Sequence, residues 1–426
     1  MLEKQKMAFL PSKSHFNKNF NLFLLSMLCN LIIHLILGFL YYNPVDFVLQ
    51  FEAAKKIAQG QLLYRDIGEI IIDGAELPRP QYPPLYLYSL GFIIAIVGVE
   101  TFTWQMVKLF LIAFNLLVGI LVYLLVLDYY KSHPKGHIIA LAALNWFLLN
   151  PSTLAVIFSG FHENFMLFFV LLGFIFFRKC RYSLSGLCFG LALLVKPIAG
   201  IYMLPLLVWG IYNKEIKSVW IWFSAGMTFL LVSLPFLLLA PEDYLNDVFF
   251  IHAERPDPSM SVYTYFFSEV SKSLFPIIIQ IMIFIIFIIF FLYNSPIASS
   301  KRVIEAVLPF MSIFMATNRI LYPHYVPFLF PFYTFVFIFL IAEFYSPRKL
   351  KNGMILLGLL LGGLMLVYLG GGFWMLLWLI EGYETYRYNP LFPISACVCI
   401  LGLIVISLTS LYSYYVVTEK YRIRGE

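Results

Sequence analysis

The stretch from Asn43 to Pro84, NPVDFVLQFEAAKKIAQGQLLYRDIGEIIIDGAELPRPQYPP, is a polar interval between strongly apolar runs, and the side of the membrane it occupies decides how the rest of the chain is threaded. Six carboxylates (Asp46, Glu52, Asp66, Glu69, Asp73, Glu76) outnumber four bases in it (Lys55, Lys56, Arg65, Arg79). Phe47, Phe51, Ala54 and Ala58 recur at helical spacing, with Gln50, Glu52, Lys55, Lys56 and Gln59 facing the other way. That pattern predicts an amphipathic helix ending at Gly60. Too short and too charged to cross a bilayer, it belongs in the interface plane. Pro84 to Gly98 follows, apolar but shorter than the roughly 17–25 residues a spanning helix needs.

Working outward, the chain is 61% hydrophobic and 12% charged over 426 residues, with a mean hydropathy of +0.86. A soluble domain carries roughly 25% charged residues. The sequence therefore predicts an all-α, polytopic transmembrane helix bundle, one domain over 1–426, with no separate soluble part. The net charge of +6 reads as basic loops on the cytoplasmic side, and no basic, aromatic cluster for nucleic acid is present. Cys29, Cys188, Cys397 and Cys399 fall in apolar runs and Cys180 in the basic turn RKCR, so no external disulfide framework is expected.

Four lysines precede the first apolar run, which is long enough to span and reads as a retained helix. The N-terminus is then cytoplasmic, and an external loop over 42–104 carries the interfacial helices. If Pro84 to Gly98 crossed, every later basic loop would invert, so it is read as re-entrant or interfacial. Spans are then expected at about 105–127, 137–149, 164–177, 183–195, 198–212, 218–240, 272–293, 303–317, 325–343, 352–380 and 393–416, about twelve with the first. KSHPKGH, FRKCRYS, NKEIK, SSKR, SPRKLKN and the C-terminal tail all fall inside.

The same parity gathers the ionisable residues outside. Asp46, placed before the amphipathic helix, is a position for a helix N-cap and equally for a general base at the membrane surface. His162 and Glu163 in FSGFHENFMLFF stand where a loop re-enters the membrane, as a structural pair or as substrate contacts. Lys196, with Pro197 after it, interrupts a long apolar run, either snorkelling to the interface or meeting a phosphate. His252, Arg255 and Arg319 are further external cations that could join it. Tyr82, Tyr263 and His324 add aromatic and hydrogen-bonding groups, although most interfacial tyrosines only form the aromatic belt. No metal-ligand cluster is visible.

These motifs in this order resemble the GT-C superfamily of integral-membrane glycosyltransferases, and most nearly the mannosyltransferase-like branch that includes the enzyme adding the first mannose of GPI anchors. The matching pieces are Asp46-Phe47 followed by AAKKIAQGQLLYRD, Gln81-Tyr82-Pro83-Pro84-Leu85, Asn150-Pro151-Ser152-Thr153 with Ser159-Gly160, Lys196-Pro197, and HAERPDPSMSVYTYFF. The resemblance implies a polyprenyl-phosphate sugar donor, a lipid-linked or glycan acceptor, membrane lipids as surroundings, Asp46 as general base, and a lipid phosphate departing toward Lys196 and Arg255. By their place on the external face, His252 and Arg319 are expected to join them at the donor phosphate, and Tyr82, His162, Glu163, Tyr263 and His324 to meet substrate. No particular cofactor is implied, and a divalent cation is left open. Many members carry a second acid beside the first; here Phe47 stands in that place, and Gly160-Phe161-His162-Glu163 replaces the usual Gly-Asn-Ala-Asp segment. The membrane of a prokaryotic cell is favoured over the endoplasmic reticulum, with both termini cytoplasmic.

Three other readings share the composition. A lipid or glycan flippase would show paired charges near the bilayer midplane and matching broken helices in two halves. A polysaccharide polymerase or ligase would share the substrates. A scaffold subunit would leave Asp46 as a cap.

Overall fold

A chain this apolar must satisfy its backbone within each segment, which in lipid means helices. The computed structural model describes residues 13–40, 45–72, 75–131, 133–250, 275–293, 302–318, 328–344, 350–381 and 391–424. In order, the first helices are α1 (Lys13–Phe39), α2 (Val45–Ala58), α3 (Pro84–Val97), α4 (Trp104–Tyr129), α5 (Gly136–Leu148), α6 (Pro151–Ser159), α7 (Glu163–Arg178) and α8 (Tyr182–Leu193). A 3-10 turn, Pro197–Met203, leads into α9 (Leu204–Tyr212), followed by α10 (Val219–Leu239) and α11 (Pro241–Leu245). The remaining helices are α12 (Phe275–Tyr293), α13 (Val303–Thr317), α14 (Phe330–Phe344), α15 (Leu350–Glu381) and α16 (Leu391–Arg424).

Helices thus stand at every position where a span was expected. Among the described residues five are long and apolar enough to cross unaided, Asn19–Phe39, Trp104–Tyr129, Ile216–Leu239, Met354–Gly371 and Leu391–Tyr412, and α5 with α6, bent by 47°, would make a sixth. Of the twelve spans expected, five or six reach crossing length among the described residues. Prolines and short breaks divide the others: Pro197 ends the run after α8, and α13 is only 15 residues long. The apolar side chains left exposed on α1 (Leu24, Leu25, Leu28, Ile32, Ile36) and α10 (Trp220, Phe223, Leu231, Leu238) are surface that a bilayer would cover. α15 and α16 approach so closely that a Cβ on Gly402 would lie 2.5 Å from the Gly363 carbonyl, the small-residue contact through which membrane helices associate.

The structure departs from expectation in three ways, two of them in the polar interval. First, α2 buries more than one stripe: Phe47, Phe51 and Ala54 are buried as expected, but so are Leu49, Ala53 and Gln50, which the helical pattern had facing water. α3 lies against α2 and covers that wider face, with the Ile57 side chain packed where Gly91 has no Cβ. Second, an antiparallel hairpin, β1 (Glu69–Ile72) with β2 (Ala75–Pro78), follows α2, Ile70 opposite Leu77. The Asp-Gly dipeptide between them is a hairpin signal that the all-helical reading passed over. Third, the segment after Asn150, read as a loop, is the helix α6, whose cap is the Asn150 side chain accepting from the Ser152 amide at 3.0 Å.

The hairpin leads to Arg79, which ties the interval to the segment after α10. Its guanidinium meets Asp243 at 2.7 Å and Asp247 at 2.5 Å and donates to the carbonyls of Tyr64 (3.1 Å) and Ile67 (3.2 Å). Burial raises the Asp247 carboxyl above its ordinary range, against the pull of Arg79. The two carboxylates differ in exposure, with Asp243 57% exposed and Asp247 5%. Arg79→Met should therefore cost about 2–3 kcal/mol, because it strands a buried carboxylate, whereas Asp243→Asn should cost less than about 1 kcal/mol. Thermal unfolding in detergent checks both.

Candidate active site

Pro84 opens α3 as its first residue, where a missing N–H costs nothing. The next amide, Leu85 N–H, donates to the Leu194 carbonyl at 3.1 Å, so the YPPL turn is pinned two residues ahead of Lys196. Lys196 itself is extended (φ −149°, ψ 131°), the conformation a following proline imposes, and this halts α8. Lys196 is only 6% exposed, and its ammonium lies 2.5 Å from Glu163 Oε1, 5.3 Å from the centre of the Tyr82 ring and 5.7 Å from that of Phe328. Glu163 is wholly buried as the first residue of α7, where the helix dipole favours a carboxylate. His162 is stacked on Tyr86 at 4.4 Å and meets Tyr82 edge-on at 5.0 Å.

Tyr82, His162, Glu163 and Lys196, picked from three separate motifs, thus form one cluster, joined by Tyr86. A buried ion pair is tolerable only when each charge answers the other. Aromatic faces around the ammonium add attraction.

Asp46 lies in the first turn of α2, inside the helix rather than at the cap the sequence suggested, and its side chain is exposed. A carboxylate there still meets the positive end of the helix dipole. Its position is fixed by Phe47, which is 1% exposed and packed flat on Gly160. Gly160 takes the left-handed conformation (φ +71°), and a Cβ on it would come within 2.4 Å of the Phe47 ring. The position where the resemblance expected a second acid is therefore a packing position. Gly160 is two residues from His162, so the start of α2 and the ionic cluster share one end of the bundle. Gly160→Ala combines backbone strain with overpacking and should cost about 2–4 kcal/mol, read as a lower melting temperature in detergent.

The sequence reading missed two further groups here. Lys108, the single base in the apolar helix α4, donates to the Phe158 carbonyl at 2.7 Å and lies 5.5 Å from the Phe47 ring. A lone charge inside a span was the signal that could have found it. Behind the cluster, Asn164 donates to Asn115 (2.7 Å), Asn115 meets His34 Nε2 (2.6 Å) and His34 Nδ1 meets the Asn30 carbonyl (2.7 Å). Since a carbonyl only accepts, His34 carries its proton on Nδ1 and accepts from Asn115 at Nε2. This chain locks α1, α4 and α7 together in the direction that sets Glu163. His252, Arg255, Tyr263, Arg319 and His324 lie outside the described residues.

Residues 86–294 match the family model of glycosyltransferase family 87. The chain is 26% identical over 176 residues to GPI mannosyltransferase 1 of Saccharomyces cerevisiae, a match spanning 41% of this chain and 38% of that protein. The chain therefore aligns with well under half the length of that relative. Its fold is similar to that of ArnT from Cupriavidus metallidurans, whose crystal structure is bound to undecaprenyl phosphate: TM-score 0.51, 15% identity, 93% of this chain and 77% of that one covered. The chain is thus similar in sequence to glycosyltransferases and in fold to ArnT.

Proposed function

We propose that the chain is an inverting glycosyltransferase that moves a hexose, mannose favoured, from a polyprenyl-phosphate sugar to a lipid-linked or glycan acceptor at the outer or lumenal membrane face. The observation that carries this reading is one of placement. An exposed carboxylate, Asp46, is held through Phe47 on Gly160 at the same end of the bundle as the buried cation Lys196. The acceptor hydroxyl gives its proton to Asp46 as its oxygen attacks the anomeric carbon. The bond from that carbon to the phosphate oxygen breaks, and its electron pair leaves on the phosphate. One displacement inverts the configuration. Lys196, with Arg255, His252 and Arg319, stabilises the departing anion, and Tyr82, His162, Glu163, Tyr263 and His324 line the substrate. Because the phosphate is already a good leaving group, a base, a cationic clamp and orientation are sufficient.

Support for the donor class comes from the undecaprenyl phosphate in the structural neighbour, and for the sugar from the yeast relative. The positive bias of the loops supports about twelve crossings with both termini cytoplasmic, and hence an external site. Cysteine labelling at positions 46 and 133 from either side of sealed vesicles tests that topology. Reagent confined outside should reach position 46 alone, and labelling of 46 only from the cytoplasmic side would overturn the reading.

A further inference from the structure

Two polar atoms around Glu163 stand out. Glu163 is wholly buried, yet among the described residues only Oε1 is answered, by Lys196, and no hydrogen-bond donor reaches Oε2. Tyr86 is 1% exposed and within the electrostatic reach of Glu163, and among the described residues its hydroxyl also has no hydrogen-bond partner. A buried acceptor and a buried donor both left unmatched are costly, at about 1–3 kcal/mol each, and such groups call for an explanation. A carboxylate and a phosphate compete for an ammonium by the same chemistry, and the phosphate brings more oxygens.

Resting on the reading that Lys196 meets the donor phosphate, we infer that Glu163 keeps that phosphate's place: the lipid's anionic headgroup takes Lys196 over, and Glu163 takes up one proton from solvent in exchange. The proton is required because a buried carboxylate that has lost its cation is too costly to keep charged. Once protonated, Glu163 changes from acceptor to donor, and the empty site is held neutral until substrate arrives. Lys196 thus stays in a single position without an unanswered charge in an apolar surround. The exchange is selective, since a neutral lipid cannot displace Glu163.

The groups facing Glu163 limit the other sources of a pH effect. Lys196 faces it from the turn after α8, Tyr86 from α3, and Tyr82 and His162 pack around that pair. From α4, Asn115 faces Asn164, with His34 of α1 behind it, and Lys108 is directed at the Phe158 carbonyl. α8 meets α7 through apolar packing such as Phe189 on Phe174.

The test is calorimetric titration of the full chain in nanodiscs with undecaprenyl phosphate, in buffers of different ionisation heat. The wild type should take up about one proton more than Glu163→Gln, and Glu163→Gln should bind about tenfold tighter, the change expected when one charged competitor is removed. Subtracting the variant cancels the phosphate's own titration. Glu163→Asp should keep the proton uptake. Inorganic phosphate, titrated in parallel, should bind far more weakly if the lipid chain is part of the recognition; equal binding would point to a free-anion site and overturn the lipid assignment. Equal proton counts and equal or weaker binding in Glu163→Gln would overturn the exchange while leaving the donor reading intact. No saturable binding to wild type, Glu163→Gln and Glu163→Asp would instead remove the donor reading and the exchange with it.

Discussion

Asp46→Asn should lower sugar transfer by about 10²–10⁴-fold, the usual contribution of a positioned general base, with little change in stability. The side chain is exposed and the substitution nearly isosteric, so the folded state should lose less than about 0.5 kcal/mol. KM for the donor should hold while kcat falls, since the proton is removed only as the new bond forms. Phe47→Ala is the contrasting case. Phe47 is 1% exposed and packed on Gly160, so its truncation should cost about 3–5 kcal/mol. Activity should fall there as well, but because the start of α2 is no longer held. A well-folded Asp46→Asn protein that transfers sugar at the wild-type rate would end the assignment of Asp46 as the base.

The second large effect is expected at the ion pair. Lys196→Met removes the cation that answers Glu163 at zero exposure and so breaks a buried ion pair, which should cost about 3–5 kcal/mol. Adding Glu163→Gln removes the stranded carboxyl, so the double variant should recover most of that stability. It should not recover transfer, because the cation at the leaving phosphate is still missing. Melting temperature and turnover are thereby separated in one pair of proteins. If the double variant were as active as the wild type, Lys196 would be only a structural partner of Glu163.

What the sequence showed of this fold follows from which interactions are local. Apolar run lengths and basic turns predicted where the helices stand, because helical hydrogen bonding is satisfied within each segment. Helix crossing length was less legible: the break at Lys196 and Pro197 was readable in the sequence, but the 3-10 turn Pro197–Met203, which shortens the next helix to Leu204–Tyr212, was not. The hairpin after α2 was readable from its Asp-Gly dipeptide, and the wide buried face of α2 was not, because it depends on tertiary packing such as that of Gly91 in α3 against Ile57.

At the site, residue types singled out Tyr82, His162, Glu163 and Lys196 one motif at a time. Their mutual contacts are long-range and appear only in three dimensions. Most of all, the sequence showed Glu163 and Lys196 as separate candidates 33 residues apart, and the fold makes them one ion pair. Phe47 was read as a missing acid and proves to be the anchor of Asp46's helix.

The central claim is that sugar leaves a polyprenyl phosphate and arrives on an acceptor hydroxyl with inversion. Its most direct test is to supply purified chain in sealed proteoliposomes with polyprenyl-phosphate mannose labelled in the sugar, together with a membrane extract as the source of acceptor lipid and glycan. The account predicts stoichiometric release of polyprenyl phosphate and a labelled product of opposite anomeric configuration, both abolished in Asp46→Asn. Label that crosses the bilayer still attached to its original lipid, with no polyprenyl phosphate released, would contradict it and favour a flippase.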